Sequence, residues 1–128
     1  MIWIEVHEAL AVHSMSIAEF GGRFGVRDAG LLESALARPK NIAAYEPDAD
    51  VAQLAAAYAG GVIKNHPFID GNKRTGYVVM EMFLILNGFE LEATQMEKYP
   101  IVIGVADGSL SEEKLADWLR ARLIAAKR

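Results

Sequence analysis

Cysteine is missing from this chain altogether, which excludes disulfides, thiolate metal sites and a cysteine nucleophile at once. The absence fits a reducing compartment. Long apolar runs are missing too. The longest, Val78 to Leu86, is broken by Glu81 and falls well short of the roughly 20 residues that span a bilayer. Met1-Ile2-Trp3-Ile4-Glu5-Val6-His7-Glu8 has no lysine or arginine and carries two acidic residues, so it does not read as a signal peptide. The expectation is a cytoplasmic protein with no membrane association. A basic stripe is lacking as well, and the formal net charge is -4. Direct nucleic-acid binding, which needs a cationic footprint, is therefore not expected. Any bound anion should be small and held at one local site.

What the chain does have is apolar residues in helical spacing. With 128 residues, 52% of them apolar, it can bury one substantial core, and a single domain over residues 1–128 is expected. Ile4 to Phe20 carries a helical pattern stopped by Gly21-Gly22, and the stretch to Gly30 reads as a loop. Leu31 to Arg38 reads as a short helix ended by Pro39, followed by a polar loop from Asn41 to Asp50. Val51 to Lys64 is rich in alanine, the best helix former, whose small side chain permits close packing. A break at Asn65 to Gly71 follows.

Helix resumes from Asn72 to Asn87, with Gly88 where a C-terminal cap belongs. Its segment Val78 to Leu86 is apolar nearly all round, which places it in the middle of a bundle. Thr94 and Glu97 resemble a capping box, although Pro100 obscures where that helix begins. Ser111 before Glu112 and Glu113 is a cleaner start, and Leu115, Trp118, Leu119 and Leu123 continue at helical spacing. No convincing strand alternation or repeat appears. The fold expected is all-α, a compact bundle of about six helices with a catalytic loop between two central ones.

That loop concentrates the chemistry. It joins the alanine-rich helix to the apolar one and holds His66 and Asp70, and the next turn opens with Asn72-Lys73-Arg74. A helix N-terminus has unpaired N–H groups and a partial positive charge, so it binds anions. Gly71 removes a side chain where a phosphate would approach the backbone. Lys73 and Arg74 add full positive charges at the same end, which is backwards for helix stability and so points to function. Asp70 is a hard oxygen ligand suited to Mg²⁺, which takes one or two carboxylates plus substrate phosphates. His66 can titrate near neutral pH, as a general base must.

Each feature has a bland explanation. A lone loop histidine is usually structural, and His7 and His13 are read that way; Asp70 would be a helix cap, Lys73 and Arg74 a solvated face, Gly71 a turn residue. Their concentration within nine residues, from His66 to Arg74, favours function. Phosphate cradle, metal carboxylate and base together specify transfer from a nucleotide to a hydroxyl.

His66-Pro67-Phe68-Ile69-Asp70-Gly71-Asn72-Lys73-Arg74 resembles the signature of the Fic/Doc superfamily. Gly21-Gly22, the stretch from Gly25 to Pro39 and the tail near Ala106-Asp107-Gly108 resemble its death-on-curing (Doc) toxin branch. The resemblance implies that His66 is the catalytic base and that Phe68 anchors the loop in the core. Asp70 matches the Mg²⁺ ligand, while Gly71, Asn72, Lys73 and Arg74 match the nest around the nucleotide phosphates. Two departures from the Fic enzymes that transfer AMP matter. Lys73 stands where they have glycine, and Tyr77 where they have a second arginine. Doc toxins share this pattern, which is linked to donation of the γ-phosphoryl group of ATP. Protein kinase chemistry on a Ser/Thr hydroxyl is thus favoured over AMP transfer, with elongation factor Tu as the target class; a non-catalytic binding module is the remaining alternative.

Self-inhibiting Fic proteins carry a Ser/Thr-x-x-x-Glu-Gly/Asn helix. Here Ser109 to Glu113 is followed by Lys114, so restraint should come from a separate small antitoxin. Met15, Phe20, Phe24 and Tyr45 are candidate contacts for it, with burial in the chain's own core the competing expectation, above all for Phe20.

Overall fold

A computed structural model describes residues 1–126. Its elements run α1 (Val6–Phe20), α2 (Ala29–Tyr45), α3 (Val51–Asn65), α4 (Asn72–Leu86), β1 (Phe89–Leu91), α5 (Gln95–Asp107), α6 (Glu112–Arg120) and β2 (Leu123–Ala125). The molecule is mostly helical, as expected. Starts are set by side-chain caps: Asp28, Asp50, Thr94 and Ser111 each accept a backbone N–H of the first turn of α2, α3, α5 and α6, satisfying a donor that would otherwise be orphaned. None of the helices among the described residues is long and apolar enough to cross a membrane.

The centre of the bundle is α3. From Leu54 to Ile63 every residue is buried, and α2, α4 and α6 all pack on it. Alanine and glycine on every face let three neighbours close in. Gly61 lies against the backbone of Ala35, where an added Cβ would sit 3.3 Å from the Ala35 oxygen. This corrects the expectation that α4 holds the middle. Val78, Ile85 and Leu86 of α4 are exposed, although α1, α3, α5 and β1 all pack on that helix.

Two further expectations fail. Pro39 does not end α2, which continues to Tyr45. Proline's fixed φ is helical and costs one hydrogen bond; the buried face of Leu32, Ala35, Leu36 and Pro39 holds the helix together across it. Pro100 lies inside α5 in the same way, behind a true Thr94–Glu97 capping box. The last helix stops at Arg120, and Leu123 belongs instead to β2, which pairs antiparallel with β1 in the register Phe89↔Ala125, Glu90↔Ile124, Leu91↔Leu123. Strands of three residues are too short to show alternation, so sequence spacing alone could not reveal them.

Candidate functional site

The loop between α3 and α4 begins with a strained residue. His66 caps α3 at φ 53, ψ 53, the one non-glycine residue with positive φ among those described. Such a conformation persists only where the surroundings hold it, and here the Gly21–Gly30 stretch does so. Arg27 donates from Nε to the His66 carbonyl at 2.7 Å and from Nη2 to the Asn65 carbonyl at 2.9 Å. A cation thereby covers the unpaired carbonyls at the negative end of α3. The backbone N–H groups of Arg27 and Asp28 both donate to the Pro67 carbonyl, and that of Ile69 to the Gly25 carbonyl at 3.0 Å. Val26 and Phe68 form an antiparallel bridge.

Below the loop, Phe68 is fully buried and lies flat on the buried His13 ring, centroids 3.9 Å apart. The Asn72 carboxamide closes on the same residue, accepting the Phe68 N–H at 2.9 Å and donating to its carbonyl at 3.0 Å. His13 Nε2 donates to the Asp70 carbonyl at 2.8 Å. The Asp70 carboxylate accepts the Arg23 N–H at 3.1 Å on one oxygen and the Gly71 N–H at 2.9 Å on the other. Gly22, at φ 117, makes room for it: a Cβ there would come within 2.8 Å of Asp70 Oδ2. Gly71 turns the chain into α4 at φ 76, with Ile17 beneath it.

Every site residue expected from the sequence meets at one cleft of about 360 Å³, lined by His66, Asp70, Gly71, Asn72, Lys73 and Arg74, with Ile63 and Ala106. The His66 side chain is exposed, and its imidazole has no hydrogen-bond partner among the described residues. No acceptor among them takes the backbone N–H of Asn72, Lys73 or Arg74, which leaves three donors at the α4 N-terminus without a partner among the described residues. The Asn72 carboxamide gives its oxygen and one of its N–H groups to Phe68. Lys73 projects to solvent near Asp107, whose carboxyl is held low chiefly by Ser109 and slightly by Lys73. The Arg74 guanidinium lies 3.8 Å over the Phe20 ring. Phe20 is 57% exposed, so the expectation of a core position for it is overturned. It ends α1 beside Gly21, where the chain turns away from the core.

Asp70 can be tested as a metal ligand by its surroundings. No group of three His, Cys, Asp or Glu side chains forms a cage among the described residues. Each Asp70 oxygen accepts one N–H and retains a lone pair. A single exposed carboxylate beside an anion cradle fits Mg²⁺ that draws its other ligands from phosphates and water.

Three supporting residues were not foreseen in these roles. Arg27, His13 and Gly22 reach the loop from sequence positions 38 or more residues away. Only the dense glycines at positions 21, 22 and 25 hinted that this stretch approaches another backbone closely.

A family model described as Fic/DOC family matches residues 3–84. The chain is 32% identical over 117 residues to the protein named "Protein kinase doc" of Escherichia phage P1, covering 91% of this chain and 92% of that one. It is 43% identical over 76 residues to "Toxin Doc" of Mycolicibacterium smegmatis, 58% of each chain. In fold it is similar to the N-terminal Fic domain of a VirB-translocated Bep effector protein of Bartonella quintana, solved with bound ADP. That likeness has a TM-score of 0.50 at 19% identity, and it covers 77% of this chain and 48% of the other. With the family model spanning most of the chain, and a relative matched over nearly its full length, the chain belongs to the Fic/DOC family.

Proposed function

We propose that this protein is a toxin that moves the γ-phosphoryl group of ATP to a Ser/Thr hydroxyl of a translation factor. The observation carrying this reading is the convergence of His66, Asp70 and the unpaired N–H groups of α4 on one cleft. His66 takes the proton of the acceptor hydroxyl as its oxygen attacks the γ-phosphorus. The bond to the β–γ bridging oxygen breaks, and ADP leaves with that oxygen. The N–H groups of Asn72, Lys73 and Arg74, with the Lys73 and Arg74 side chains, stabilise the negative charge of the transferred group. Asp70 would hold Mg²⁺, which supplies further neutralisation of the phosphates when bound. Lys73 and Tyr77, in place of the glycine and second arginine of AMP-transferring relatives, favour phosphoryl over nucleotidyl transfer. The relatives named as a protein kinase and a toxin support the same reading. Elongation factor Tu as acceptor rests on the family resemblance.

A small antitoxin is the proposed restraint. Met15, Phe20, Phe24 and Tyr45 are 71%, 57%, 61% and 87% exposed, apolar surface of the kind a segment that folds on binding requires. The direct test of function incubates the protein with translation factors and ATP labelled at either the α- or the γ-phosphate. Label from the γ position alone is expected in the acceptor. Label from the α position would mean AMP transfer, and none from either would mean a binding module.

A further inference from the structure

One face of α1 follows the motif loop into α4. His13, Ile17 and Phe20 stand at helical spacings of four and three, so they share that face. Each meets a successive part of the motif. His13 donates to the Asp70 carbonyl, Ile17 Cδ1 would lie 3.0 Å from a Cβ on Gly71, and the Phe20 ring carries the Arg74 guanidinium at 3.8 Å. His13 and Ile17 are buried and hold the loop from inside. The third contact is made in the open, between two exposed side chains. A single exposed phenylalanine says little by itself; what lies on its ring says more. A Cζ 3.8 Å from the ring centre is at face-to-face distance, since an edge-on guanidinium would hold its Cζ farther off. Stacked by its face, the group keeps its five N–H donors around the rim. None of them meets an acceptor among the described residues. Other arginines spend theirs. Arg27 gives donors to two carbonyls. Arg122 also lies over a ring, that of Trp118, but donates to the Trp118 carbonyl and pairs with Glu97. Of these three, Arg74 combines a supported plane with an unspent rim, and it lines the His66 cleft.

Resting on the proposed phosphoryl transfer, we propose that Phe20 is a positioning residue for that reaction, its ring fixing the Arg74 guanidinium at the cleft with the N–H rim free to grip donor phosphates. A guanidinium binds phosphate through two parallel N–H groups, so its plane must be set as well as its place. An unsupported arginine on a helix surface samples many rotamers and loses that freedom when it binds. An aromatic face removes part of this cost beforehand. It does so without consuming a donor, whereas a carboxylate partner would occupy the very N–H groups that phosphate needs and would cancel the charge.

The test measures ADP and inorganic tripolyphosphate binding by calorimetry in the wild-type chain, Phe20→Leu, Phe20→Tyr, Arg74→Ala and the double variant Phe20→Leu/Arg74→Ala. Phe20 is exposed, so the fold should survive, and circular dichroism checks it. Phe20→Leu keeps the apolar bulk and removes the aromatic face. It should raise both dissociation constants about two- to fivefold, the worth of an exposed cation–aromatic contact. Phe20→Tyr restores the face and should restore binding. The double variant should bind no more weakly than Arg74→Ala alone, because the ring acts only through the arginine. Unchanged binding in Phe20→Leu, failure of Phe20→Tyr to rescue, or a further loss in the double variant would each overturn the assignment. Weaker ADP binding with tripolyphosphate unaffected would also overturn it, placing the ring against the nucleoside instead. Tighter binding in Phe20→Leu would mean that the ring holds Arg74 away from the phosphates. All of these leave phosphoryl transfer standing. If the wild-type chain bound neither probe, both this inference and the proposed function would fall.

Discussion

The His66 loop has two unlike flanks. Toward α1 and the Gly21–Gly30 stretch it is held by a backbone bridge, the two-pronged Arg27, the stacked His13 and the amides around Asp70. Toward α5 it opens into the cleft that Ala106 borders, next to a second one that exposed Tyr99 lines. Chemistry needs its groups fixed to fractions of an ångström, whereas substrates need a way in. The clamped flank meets the first demand and the open flank the second. The strained backbone of His66 sits where the two meet, which is where a conformation maintained by its surroundings is most useful.

The largest effect should come from the residue at that junction. His66→Ala is expected to lower phosphoryl transfer by about 10²–10⁴-fold while leaving the melting curve unchanged, as single-turnover kinetics beside calorimetry would show. A variant with full activity would remove His66 from the mechanism. Breaking the clamped flank should instead cost stability. Phe68→Ala removes a fully buried ring stacked on His13, and denaturant titration should find a loss of about 3–5 kcal/mol.

A milder attack on the same flank separates holding from packing. Arg27 is exposed and touches the loop through two carbonyls. Arg27→Ala should cost about 1–2 kcal/mol and lower transfer by more than that loss of folded protein explains. If transfer per folded molecule is unaffected, the clamp serves stability alone.

The smallest effect lies far from both flanks. Arg120 holds the Asp50 carboxyl below its ordinary value of 3.8, mainly through a side-chain hydrogen bond. A carboxyl depressed by folding stabilises the protein fully above its unfolded value. That contribution is lost as pH falls below it toward the depressed one. Arg120→Ala should therefore cost under about 1 kcal/mol at neutral pH, since the pair is solvent-exposed, and the gap from wild type should shrink on acidification below pH ~4. A gap that widened there would mean that the pair does not set this pH dependence.

The two flanks also differ in how far the sequence discloses them. The motif from His66 to Arg74 is contiguous, so its meeting at one cleft follows from local structure, and the capped helix starts at Asp50, Thr94 and Ser111 are local too. The clamp is not local. Arg27 and His13 carry no sign in their own neighbourhoods of the carbonyls they will meet, 38 to 57 residues away. Pro39 misleads because local preference argues for a stop, while the buried face of α2 on α3 outweighs one missing hydrogen bond. That α3 is the more central of the two helices flanking the loop was hidden for a similar reason. Apolar content marks α4, but small size is what allows neighbours on every side, and that shows only when helices pack.

Intact-mass spectrometry of elongation factor Tu, after incubation with the protein, Mg²⁺ and ATP, tests the central claim most directly. The account predicts a gain of one phosphoryl group with the wild-type chain and none with His66→Ala. A gain of one AMP, or equal modification by the variant, would contradict it.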